Sequence, residues 1–170
     1  DNLNIIDKSE DIESLAMLEK DNGDVYFVPA FSGLFSPHWD ETARGSLFGL
    51  TRFSNKSHLA RAVLESVAFQ TYELLESMEK DLDTEFESLK VDGGMVANNL
   101  LMQFQSDLLD KSIHSQEINE ITALGVGVAS YLYIMDLPLS SMSNYITSSI
   151  TWNPNTVSYT HLRAHETYRD

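Results

Sequence analysis

Residues 91–99 read VDGGMVANN and set two adjacent glycines and two asparagines just after an apolar run. Gly93 and Gly94 can take backbone conformations closed to other residues, and they leave no Cβ between a ligand and the peptide. Asn98 offers an amide donor and an acceptor, the pair needed to read a purine edge or a ribose hydroxyl. A helix starting near Ala97 would turn its free N–H groups and the positive end of its dipole toward the same place, which suits a phosphate without any lysine. Nucleotide binding is the chemistry these residue types support. A tight turn without a ligand uses glycine for the same steric reason, and the motif is neither GxGxxG nor a P-loop, so spacing leaves both readings open.

Other residues of reactive type are more scattered. His38, His58 and His114 are far apart, and His161 and His165 lie four apart without further donors, whereas a protein metal site needs three or four converging ligands. No metal site is expected. Asp40, Glu41 and Arg44 are catalytic by type, but ion pairs and turn hydrogen bonds that fix their own loop are the expected role. Arg61 and Glu65, four apart on a helix, are expected to form a solvated pair. Glu120 reads as a helix-start residue, and Phe31, Phe35 and Trp39 as core or interface packing rather than a sugar platform.

The elements that must position the glycine pair follow from periodicity. Asp7 and Glu10 resemble a capping box for a short helix through Ile12, Leu15, Ala16 and Leu18 that ends near Asn22-Gly23. VYFV at 25–28, stopped by Pro29, reads as a buried strand, and residues 30–45 as an ordered loop. From Ser57 to Lys80 the apolar stripe Leu59, Val63, Val67, Leu74 and Met78 predicts a long helix with one broad buried face. LKVDGG is a strand candidate, followed by a helix carrying Leu100, Leu101, Phe104, Leu108 and Leu109. KSIHSQ is a further strand, and EITALGVGVASYLYIM a helix whose small residues Ala123, Gly125, Gly127 and Ala129 predict tight packing on a sheet. Alternation of strand and helix from Val25 to Met135 indicates an α/β domain with an at least partly parallel sheet.

Composition bounds the partners. The 170 residues are the size of one domain, 42% hydrophobic and 22% charged, as in ordinary folded proteins. Eleven basic against 26 acidic residues give a net charge of −15, which opposes binding to nucleic acid or an anionic bilayer. Without cysteine there is no disulfide framework, and no secretory signal or sufficiently long apolar run is visible, so a cytoplasmic location is the expectation.

The stretch from VYFVPAFSGLFSPHWDETARGSLFGLTRFSNKSHLARAVLESVAFQT through LKVDGGMVANNLLMQFQSDLL to EITALG resembles the FGGY carbohydrate kinase family, nearly unbroken from Val25 to Gly127. Gly45 to Glu65 is similar to the second signature of that family. VPAFSGL with PHWD and ARG is similar to the loop of its glycerol-phosphorylating members and argues against a pentulose kinase. The resemblance implies an actin-like ATPase (ribonuclease H-like) domain, the incomplete C-terminal half of the FGGY fold, with residues 1–155 as that domain. It also implies transfer of the γ-phosphoryl of ATP, with Mg, to glycerol. Gly94 and Asn98, with Gly93 beside them, fall on its nucleotide-contacting positions, and the full-length enzyme is expected to be a homo-oligomer. The glycerol-binding residues, the catalytic aspartate and the phosphate loops of the family have no counterpart here, so no catalytic residue is assigned and the isolated chain is expected to be inactive. A non-catalytic nucleotide-binding module of the same fold is the alternative of a different class. Residues 156–170 depart from the family pattern and are expected to be an artefactual or disordered extension.

Overall fold

The computed structural model describes residues 6–116, 121–145 and 149–155. Helix α1 (Asp11–Ala16) is followed by strands β1 (Tyr26–Val28) and β2 (Ser46–Phe48), the long helix α2 (Lys56–Leu82) and strand β3 (Ser88–Val91). A 3-10 turn at Gly94–Ala97 leads into α3 (Asn99–Leu109), β4 (Ser112–Gln116), α4 (Ile121–Ile134), a second 3-10 segment (Leu139–Tyr145) and β5 (Ser149–Trp152).

β3, α3 and β4 form a parallel crossover unit, with Ser88 opposite Ser112 and Val91 opposite Ser115. β5 then pairs antiparallel with β4, Ile113 facing Trp152. The partly parallel sheet that the sequence predicts is therefore present. β1 is not part of it: it pairs antiparallel with β2 in a separate two-stranded ribbon, and Tyr26 is exposed. The VYFV segment is thus no buried central strand, because the loop after Pro29 returns the chain to pair beside it instead of crossing over.

The core lies between α2, α3 and the three-stranded sheet, where Leu64, Ala68, Leu101, Met102, Leu109 and Ile113 are buried together. The buried side of α2 differs from the predicted stripe. Ala60, Ala62, Leu64, Ala68 and Leu75 are inside, while Leu74 and Met78 are exposed. Alanines let α2 approach α1, α3 and β1 closely on more than one side, so size decides the inner face there as much as hydrophobicity does.

Helix boundaries also depart from expectation at α1. It starts at Asp11 without a side-chain cap and ends at Ala16, so the Asp7–Glu10 box does not form and the helix stops short of Asn22-Gly23. A capping box is instead found at α2: Asn55 Oδ1 accepts from Ser57 N (2.9 Å) and His58 N (3.2 Å), and Asn55 N donates to His58 Nδ1 (3.2 Å). Imidazole takes the place that glutamate or glutamine usually fills.

α4 does not pack through its small residues. A Cβ added at Gly125 or Gly127 would meet nothing within 4 Å among the described residues outside its own helix backbone, and Tyr133 and Ile134 are 87% and 77% exposed. Val128 and Leu132 form its buried side. Among the described residues, no helix is long and apolar enough to cross a membrane.

Candidate functional site at the glycine corner

β3 ends at Val91, and the chain turns through Asp92, Gly93 and Gly94 at the carboxyl edge of the parallel pair, where α/β sheets place their ligands. Gly93 has φ 103° and ψ 175°, a region essentially restricted to glycine. A Cβ built on either Gly93 or Gly94 would meet no atom of the described residues within 4 Å, its chain neighbours aside, so none of them covers the corner there. The two glycines therefore do different things. Gly93 is demanded by the backbone, whereas Gly94 has an ordinary φ and its missing side chain leaves open space.

Val96 N donates to Gly93 O and Asn98 N to Met95 O, both at 3.1 Å, so a single 3-10 turn forms the floor of the corner. Asn98 is extended (φ −86°, ψ 99°) and caps α3: its Oδ1 accepts from Leu101 N at 2.9 Å. Its Nδ2 has no acceptor among the described residues and is the half of the amide left for a ligand. Met95 is exposed at the rim, and Val96 packs against the core.

Two long-range contacts hold this segment. Glu13 Oε1, on α1, accepts from Leu100 N at 2.8 Å across 87 residues of sequence. Trp152 Nε1, on β5, donates to Asn99 Oδ1 at 3.3 Å. Asn99 and Leu100 are thus each tied down by a side chain from a distant element, beside the cap that Asn98 itself makes. Neither Glu13 nor Trp152 can be picked out of the sequence as a site residue, because each finds its partner only after folding.

The same contacts change the expectation for phosphate. α3 begins at Asn99, just past Ala97, and the N–H groups of Leu100 and Leu101 are taken by Glu13 and Asn98. A carboxylate already occupies the positive end of the helix, which leaves little there for an anion. What the corner offers is a main-chain surface and one amide donor, suited to an uncharged, flat group.

Two clefts among the described residues lie away from the corner. One of about 470 Å³ sits between α1 and the start of α2, lined by Asp11, Leu15, Leu18 and Lys56. An apolar cleft of about 170 Å³ separates the second half of α2 from β3, between Leu74, Met78, Phe86 and Leu89. Neither of these two clefts includes the glycine corner.

The other candidates fall into structural roles. Asp40 accepts from Thr42 N (2.8 Å) and Thr42 Oγ1 (2.7 Å), bonds that hold its carboxyl below the usual range. Arg44 Nη1 donates to the carbonyls of Glu41 and Ala43, so turn hydrogen bonds fix this loop, as expected. Arg61 and Glu65 do not form a solvated pair. Glu65 is 7% exposed, accepts from Arg61 Nε and Asn22 Nδ2, both at 2.9 Å, and burial raises its pKa. His38 bonds Glu73 at 3.2 Å and His114 bonds Thr151 at 2.9 Å. Among the described residues no group of three potential ligands converges on a metal position. Phe31, Phe35 and Trp39 are 69–77% exposed and are not core residues. Glu120, His161 and His165 lie outside the described residues.

The description "FGGY family of carbohydrate kinases, C-terminal domain" matches residues 2–131. The chain belongs to the FGGY family of carbohydrate kinases. It is 58% identical over 134 residues to a glycerol kinase of Brucella anthropi, an alignment that covers 79% of this chain and 27% of that protein. The crystal structure of glycerol kinase from Plasmodium falciparum with ADP superposes with a TM-score of 0.81 at 29% identity, covering 99% of this chain and 36% of the other. A xylulose kinase from Lactobacillus acidophilus shares the fold, with a TM-score of 0.76 at 20% identity. The FGGY chain thus spans about a quarter of the length of its curated relatives.

Proposed function

We propose that this FGGY chain is part of an ATP-dependent glycerol kinase and supplies the adenosine side of its ATP site through Gly93, Gly94 and Asn98. The observation that carries the reading is the uncovered corner at the carboxyl end of β3. Gly94 lacks a Cβ where no other described residue fills the space, and Asn98 Nδ2 has no acceptor among the described residues. A purine nucleoside can lie on the main chain while Asn98 donates to one of its acceptors. Support for glycerol as the second substrate comes from the glycerol kinases the chain resembles at more than half identity.

Phosphoryl transfer requires positioning of both substrates and neutralisation of charge by magnesium. This chain's part is to bind and orient the uncharged end of the nucleotide. The magnesium contacts, the base that accepts the glycerol proton and the glycerol pocket are assigned to parts of the protein beyond this chain. Calorimetry with ATP on the wild type and on Asn98→Ala tests the assignment. Loss of one hydrogen bond to the ligand should weaken binding about fivefold to tenfold; equal affinity in the two proteins would reject Asn98 as a contact.

A further inference from the structure

We propose that Glu13 is a positioning residue that sets the direction in which Asn98 presents its free amide, an inference that rests on the corner being the nucleotide seat. An N-cap side chain can accept from the second or the third N–H of its helix. In α3 these are Leu100 N and Leu101 N. Glu13 Oε1 occupies the first of them at 2.8 Å, which leaves Asn98 Oδ1 only Leu101 N, at 2.9 Å. With Oδ1 committed to one donor, the side-chain torsions of Asn98 are fixed and so is the direction of Nδ2. Remove the carboxylate and Oδ1 can move between two orphan donors, carrying Nδ2 with it.

Glu13 is well placed to do this. It sits on α1, whose Ala16 is fully buried in the core with Ile12 and Leu15 packed against it, so its backbone is anchored by packing of its own. Its bond spans 87 residues and ties the corner to a separate element. Trp152 holds the neighbouring Asn99 but through that residue's own side chain, and it leaves the choice of Asn98 partner untouched.

The test uses the 170-residue chain labelled with ¹⁵N, with ADP as the probe. Glu13→Ala should speed exchange of the Leu100 N–H by roughly tenfold or more and shift the Asn98 carboxamide resonances. Glu13→Gln, which keeps an acceptor, should restore both. Glu13→Asp keeps the charge but shortens the reach, so it should behave as Glu13→Ala does and guards against misreading a poorly folded alanine variant. ADP affinity should fall several-fold in Glu13→Ala and recover in Glu13→Gln, while in an Asn98→Ala background Glu13→Ala should add no further loss. Unchanged Leu100 exchange and Asn98 resonances overturn the proposal, as does an equal loss of affinity in both backgrounds. If the wild type shows no response to ADP at the corner, the nucleotide reading fails, and the exchange and carboxamide signals still decide whether Glu13 directs Asn98.

Discussion

Gly93 and Gly94 are neighbours with separable roles, and alanine tells them apart. Gly93→Ala forces a side chain into a backbone region that only glycine occupies comfortably, and the expected cost is about 1–3 kcal/mol of stability by urea denaturation. Gly94→Ala faces open space at an ordinary φ, so stability should stay within about 0.5 kcal/mol of wild type. Its methyl nevertheless enters the corner, and ATP binding should weaken. The glycine pair was legible in the sequence as special, but which glycine serves the backbone and which serves space depends on φ and surroundings. Glu65 carries a second residue-scale expectation. Burial raises its pKa in the folded state, so the unfolded chain releases its proton first as pH rises. The stability of wild type relative to Glu65→Gln should therefore be highest below the ordinary glutamate value of about 4.3 and fall as pH rises through the raised value. A pH-independent difference would show that the carboxylate is not desolvated. That this pair is buried could not be read from its spacing, since i,i+4 ion pairs look alike on either face of a helix.

At the scale of elements, the two helices flanking the core are bounded by side chains at one end and by strained aspartates at the other. Replacing Asn55 by alanine removes the capping box of α2 and should cost about 1 kcal/mol. α2 and α3 both end on aspartates in the left-handed region, Asp83 at φ 49° and Asp110 at φ 52°. Glycine is the better residue there, and aspartate also sets a negative charge at the negative end of each helix dipole. Asp83→Gly should raise the thermal midpoint, by about 0.5–1 kcal/mol of stability; a lower midpoint would mean that the aspartate makes a compensating local bond. The order of β3, α3, β4 and α4 was readable because long apolar periods and the glycine turn punctuate it. β2 was not, since three residues inside an aromatic loop carry no period of their own, and the inner face of α2 was hidden because alanine does not mark a stripe.

At the scale of the whole molecule, the proposed function makes this chain one wall of a cleft. Among the described residues nothing covers its corner, two clefts lie away from it, and α4 leaves Tyr133 and Ile134 exposed. The α/β class and the family were legible because several motifs stand in order along the chain. The missing partner for the corner's helix end was not, because Glu13 meets Leu100 only through tertiary packing. With the base, the glycerol pocket and the magnesium contacts assigned elsewhere by the proposed function, no glycerol 3-phosphate is expected when the purified chain is given ATP, magnesium and glycerol. The most direct test of the central claim is a titration of the ¹⁵N-labelled chain with ATP, followed by the backbone and side-chain amide resonances. The largest shifts are expected at Gly93, Gly94, Met95 and the carboxamide of Asn98. Saturable shifts centred on another surface, with the corner silent, would contradict it.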